Sequence, residues 1–204
     1  MQPMIRSSLT GLALAATLLA TPALSQVAGP GSRPVEFKST TLPAKHKELL
    51  TRYAEVVGRW ALVQRIVQAV EAQNEREIPM QRIEEIDRVW QSGGNPSGLA
   101  NELARNECAQ ALQSLLAVNP GYAEAFVSDA RGALVCMSTR ISDYYQGDEE
   151  TFRRAWADGA GAAFISASAP DESTGLDLVH ISVPVLASGR VVGVLTAGRI
   201  VSGG

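Results

Sequence analysis

The sequence predicts an α+β fold in which N-terminal helices, residues 44 to 117, pack on a five-stranded antiparallel sheet, residues 118 to 204. Two observations carry that prediction. Apolar residues recur with a period near 3.6 as far as Ala117, and beyond "NPGY" the period falls to 2. Short turn signals, Asp129-Ala130-Arg131-Gly132 and Ser188-Gly189, then divide the alternating stretch into hairpins.

The N-terminus reads as an export signal. Arg6 precedes an apolar or small run from Leu9 to Ala20, Pro22 follows, and Ala23 and Ser25 fit the small positions of a cleavage site. The run is too short to span a bilayer comfortably, and no cysteine stands near the cleavage site to carry a lipid. Residues 1–25 are thus expected to be removed, leaving a soluble periplasmic or secreted chain. Removing 25 of 204 residues leaves 179, and losing Arg6 takes the formal charge from −3 to −4. A weakly acidic chain without a Lys/Arg cluster has no electrostatic footprint for nucleic acid or anionic lipid.

Residues 26–43 are rich in Pro, Gly and Ser without apolar periodicity and predict a flexible leader. Leu49, Tyr53, Val56, Trp60, Val63, Val67 and Val70 then follow spacings of 4, 3, 4, 3, 4 and 3, the stripe of an amphipathic helix. It serves either to pack on its own domain or as the seam of a homodimer through residues 49–70. Pro79 interrupts or restarts the pattern, and a second helix carries Ile83, Ile86, Val89 and Trp90 to the turn "QSGGNPSG". A third is expected from Leu99 to Ala117.

The expected strands are Ala123 to Ser128, Ala133 to Ser138, Ala162 to Ala169, Leu176 to Ala187 and Val191 to Val201. Between the second and third lies "SDYYQGDEETFRRAWADG", a loop and a short helix with Asp148 as N-cap and Gly159 as stop.

"CAQALQSLLAVNPGYAEAFVSDARGALVCMS", "TFRRAWADG" and "DLVHISVPVLASGRVVGVLTAGRI" together resemble the Cache domains, PAS-like extracytoplasmic sensors also called PDC domains. Pro184, Gly189 and Gly193 stand where that family's closing hairpin places them. The resemblance implies a PAS-like sheet with a small ligand on its concave face, beneath the loop and helix between strands two and three. Cache domains commonly sit between membrane helices and feed an output domain. This sequence instead closes on "GRIVSGG" after the last strand, which implies a free-standing module signalling to a separate partner, with a membrane-bound signalling protein as a candidate.

In some similar domains the helix before the sheet is joined to the second strand by a disulfide, and Cys108 and Cys136 fall at matching places. Export favours the same pairing, with two separate buried thiols as the alternative. The resemblance also implies ligand contacts from Tyr144 and Tyr145 in the loop, Arg154 and Trp156 on the helix, and Asp177 and His180 on the fourth strand. Guanidinium there would suit a carboxylate and acidic groups an amine. Against this, Glu149–Arg153 and Glu150–Arg154 are spaced as surface helix pairs, and Phe152–Trp156 as a core-facing pair. Asp177 and His180, three apart in a strand, point to opposite faces, so at most one reaches the pocket.

Neither His46 nor His180 has a metal-ligand neighbour at motif spacing, and no nucleophile elbow, HExxH or phosphate loop occurs. No cofactor, metal or catalysis is therefore expected. The function implied is small-molecule sensing, with a ligand-free adaptor using the stripe helix as the alternative.

Overall fold

The computed structural model describes residues 35–38 and 44–201. The expected export signal lies outside the described residues.

The stripe beginning at Leu49 forms helix in two pieces, α1 (Ala44–Trp60) and α2 (Gln64–Glu75). Between them the chain turns, with Val63 in extended backbone ahead of α2. That turn lets both helices face one sheet. Tyr53, Val56, Trp60, Val63, Val67 and Val70 all join the core that holds Val127, Ile181 and Leu195. Leu49 alone in the stripe is outside it, 44% exposed. Most of the stripe is therefore packed within the chain, as the first of its two readings expects.

Pro79 restarts the helix as expected, giving α3 (Met80–Gln91) with Ile83, Ile86 and Trp90 buried. The single third helix is instead α4 (Leu99–Leu103) and α5 (Glu107–Ala117). Asn106 makes the break. Its side-chain oxygen accepts from the Ala109 N–H at 2.9 Å, and its amide donates to the Val135 carbonyl at 3.0 Å. An Asn that caps one helix and ties it to a strand competes well with helix continuation.

The five expected strands are present as β2 (Tyr122–Asp129), β3 (Leu134–Met137), β4 (Ala163–Ile165), β6 (Asp177–Ala187) and β7 (Arg190–Ile200). The third is shorter than its sequence suggests, its far end forming a separate two-residue strand, β5 (Ala169–Pro170), on β6. A further strand, β1 (Val35–Phe37), lies within the stretch read as a flexible leader and pairs in parallel with β4. The sheet runs β1-β4-β6-β7-β2-β3 and is antiparallel apart from that edge. The expected α+β class, helices packed on a largely antiparallel sheet, is the one observed.

Turn chemistry fixes both hairpins. Gly132 takes φ 87° between β2 and β3, and Ser188 and Gly189, at φ 49° and 79°, close β6 on β7. In the first turn Asp129 is buried, and its Oδ1 accepts from the N–H groups of Arg131 and Ala133 at 2.9 and 3.0 Å. Burial raises its pKa despite those bonds, so the folded chain holds the proton more tightly than the unfolded one. Its contribution to stability therefore falls as pH rises from the unfolded value through the raised folded value. Asp129→Asn keeps the acceptor and removes the charge. Its stability relative to wild type should increase as pH rises above the ordinary aspartate range, which chemical denaturation at a series of pH values measures.

The short helix is α6 (Glu150–Trp156), with Glu149 rather than Asp148 at the cap position. On its side of the sheet, Phe152 and Ala155 pack on Phe164 and Val194. Farther along the same side, α3 and α4 pack with Phe126, Leu134 and Met137. The opposite face carries α1, α2 and α5. There Cys108 of α5 and Cys136 of β3 form the expected disulfide, Cα atoms 5.8 Å apart.

Candidate functional site

A cleft of about 290 Å³ opens between the α6 side and the loop that α3 holds against β3. Its floor is sheet. Strict alternation would put Tyr122, Glu124 and Phe126 on one face, but the pairing of β2 with β7 shifts register between Tyr122 and Glu124. Tyr122 therefore joins the helix-side core with Ala125 and Val127, while Glu124 and Phe126 line the cleft. On β6, Val179, Ile181 and Val183 face the helix-side core and His180 faces the cleft.

Three titratable side chains converge on this floor. The Glu124 side chain, 1% exposed, has Oε1 3.2 Å from His180 Nε2. Asp171, in the loop after β5, brings Oδ2 to 3.6 Å from the same nitrogen. Ser173 Oγ stands 2.7 Å from both Glu124 Oε2 and Asp171 Oδ1. The Thr174 N–H and hydroxyl also donate to Asp171 Oδ1, at 2.8 and 2.9 Å. Burial opposes ionisation of Asp171, but bonds from Ser173 and Thr174 and the nearby His180 outweigh it and hold the carboxyl below its ordinary value.

The wall is hung from α3. Trp90 donates its indole N–H to the Ile141 carbonyl at 2.9 Å, and Asp87 Oδ1 accepts from the N–H groups of Tyr144 and Tyr145 at 2.9 Å each. Asp143, Glu149 and Glu172 line the rim. Burial first, then the charges of Asp148 and Asp143, raise the Glu149 pKa. Five carboxylates thus meet one imidazole.

Gly198, opposite Glu124 on β7, leaves that side chain its space. A Cβ there would lie 2.9 Å from Glu124 Cγ and 2.7 Å from Leu178 Cδ1. Gly198→Ala should lower stability by about 1–3 kcal/mol, as overpacking does, and weaken any binding that depends on Glu124. Denaturant midpoints beside ligand titrations measure both.

Of the ligand residues expected from the resemblance, His180 lines the cleft. Tyr144 is 1% exposed beneath Trp90, ring centroids 5.8 Å apart, and Tyr145 packs partly buried beside it. Trp156 stacks on Phe152, Arg154 is exposed with its guanidinium over Phe164, and Asp177 is exposed at the start of β6. Sequence reasoning passed over Glu124, Asp171 and Ser173. An acidic residue set between alanines in the apolar strand "YAEAFVSD" was the available signal for the first.

A larger groove of about 560 Å³ lies on the helix face of the sheet, between α1 and the ends of β6 and β7. Leu49, Leu50, Val179 and Ile200 make its walls largely apolar, without a comparable convergence of charge.

No protein-family model matches the chain, and no curated protein matches it. Among solved structures it is similar to the ligand-binding domain of the Campylobacter jejuni chemoreceptor Tlp3 in complex with 4-methylisoleucine. That match has 12% identity over 78% of this chain and 62% of the other, with a TM-score of 0.40. It is also similar to the ligand-binding domain of the Pseudomonas aeruginosa PAO1 amino-acid chemoreceptor PctC in complex with GABA. Here identity is 19% over 75% of this chain and 64% of the other, with a TM-score of 0.37. An extracellular ligand-binding receptor from Desulfohalobium retbaense matches at 13% identity over 72% of this chain and 25% of the other, TM-score 0.38. The chain thus spans less than two thirds of each solved chain it matches here. No helix among the described residues is long and apolar enough to cross a membrane.

Proposed function

We propose that this protein is an extracytoplasmic small-molecule sensing module whose cleft receives a positively charged ligand and which passes the event to a separate partner protein. The carrying observation is the cleft's charge. The buried Glu124 side chain lies with Asp171 at its floor, Asp143, Glu149 and Glu172 line the rest, and among the described residues His180 is the one basic side chain lining it. A buried carboxylate is costly without a countercharge, so a cation entering here gains more than a neutral isostere. The sequence resemblance to Cache sensors agrees with a ligand on this face of the sheet. Of the ligand types raised by that resemblance, the cleft favours the amine over the free carboxylate.

Thermal unfolding across amines, guanidines, divalent ions and neutral or anionic isosteres tests this. A ligand that binds only the folded state adds about 2.7 kcal/mol at a hundredfold excess over its dissociation constant. Midpoint rises confined to cations are expected; rises confined to anions would contradict the reading.

A further inference from the structure

The floor of the cleft holds the donors of a metal centre, with hydroxyl groups set behind its carboxylates. Glu124, Asp171 and His180 each bring one ligand atom to within 4.8 Å of the other two. The two carboxylate oxygens stand 3.2 and 3.6 Å from the imidazole nitrogen. Four ligands at about 2.0–2.1 Å around a tetrahedral ion are separated by about 3.3–3.4 Å. The two measured separations bracket that value.

The carboxylates are also turned for the purpose. Ser173 Oγ lies 2.7 Å from the outer oxygen of each and donates its single proton to one of them at a time, and Thr174 adds two bonds to the outer oxygen of Asp171. That leaves the inner oxygens directed at the imidazole. Outer-shell hydrogen bonds of this kind orient metal-binding carboxylates.

Charge balance separates a metal centre from a simple ion pair. With both carboxylates ionised, a neutral His180 leaves the triad at −2 and a protonated one leaves −1. A divalent ion with neutral His180 brings it to zero. For a triad whose glutamate side chain is 1% exposed, that difference is energetically large. We propose that Glu124, Asp171 and His180 form a divalent-metal site with a coordination position open to the cleft. One imidazole and two carboxylates suit Zn²⁺ and its first-row neighbours; Ca²⁺ and Mg²⁺ prefer all-oxygen sites. The open position gives the cleft a means of holding an amino-bearing small molecule through the ion. Sequence spacing conceals the site because its donors come from β2, the loop after β5, and β6.

This inference rests on the cation-binding reading of the cleft and narrows it. The test is isothermal titration of tag-free, EDTA-stripped protein with ZnCl₂, then CaCl₂, beside His180→Gln, Asp171→Asn and Ser173→Ala. Wild type should take one equivalent of Zn²⁺ and bind Ca²⁺ far more weakly. Each ligand variant should weaken Zn²⁺ by at least about a hundredfold, and Ser173→Ala, which removes only an outer-shell bond, by about tenfold. Circular dichroism identifies a variant that fails to fold. Independently of the variants, Co²⁺ bound to wild type should show visible d–d bands that Zn²⁺ displaces.

Absent Zn²⁺ binding, or binding unchanged in folded His180→Gln and Asp171→Asn, would overturn the metal site. If organic cations still raised the unfolding midpoint in that case, the cleft reading would stand without the metal. If neither class bound, both would fall.

Discussion

Trp90→Ala is expected to lower folding stability by about 3–5 kcal/mol, the usual cost of removing a buried Trp side chain. Trp90 is 1% exposed and lies between the Tyr144 ring and the Arg140 guanidinium, which is 4.5 Å from its ring centroid. Its indole N–H also holds the Ile141 carbonyl, fixing the wall that carries Asp143. The loss should therefore extend to the cleft, with ligand response weakened even below the new midpoint. Trp90→Phe separates the contributions. It keeps most of the bulk and loses the bond to Ile141, so a smaller stability loss of about 1–3 kcal/mol is expected, with the loop still loosened. Denaturant unfolding, with amide exchange over residues 139–147, reports both.

Removing the Cys108–Cys136 disulfide should cost about 3 kcal/mol with the opposite functional outcome. The bridge closes a sequence separation of 28 residues, and in the chain-entropy account a loop of that size stabilises by roughly 3 kcal/mol. Both cysteines lie in the core on the helix side of the sheet, away from Glu124 and His180. The Cys108→Ala/Cys136→Ala double variant should therefore unfold at lower denaturant yet bind its cleft ligand within about twofold of wild type wherever it is folded. An equal loss of affinity would show that the helix layer and the cleft are coupled.

Where the chemistry is local, the sequence was legible. Gly132 and Ser188-Gly189 marked the hairpins because positive φ is a property of the turn itself. Alternation along β6 puts His180 and Asp177 on opposite faces, and His180 lines the cleft. The cysteine pairing followed from the expected export signal and from the resemblance to Cache domains.

What escaped depends on tertiary contact. The turn between α1 and α2 has neither Pro nor Gly within Ala61–Val63 to announce it; the two helices bend to lie on one sheet. The cap at Asn106 was a local signal hidden inside a long apolar stripe. Tyr144 and Tyr145 invited a ligand-binding role as loop aromatics, but Asp87 and Trp90 draw that loop toward α3. Alternation puts Glu124 on the cleft face with Phe126, the register shift in β2 diverting only Tyr122, but nothing local announces that Glu124 meets Ser173 and His180 across long stretches of sequence.

Titrating wild type and Glu124→Gln side by side with one panel of organic and metal cations, at fixed pH and ionic strength, tests the central claim most directly. Glu124→Gln keeps the shape of the side chain and removes its charge. Truncating one member of a buried charge pair costs about 2–5 kcal/mol, so affinity for the best cation should fall at least about 30-fold while the unfolding transition stays cooperative. An affinity unchanged or improved in Glu124→Gln would contradict a cleft built around a buried negative charge.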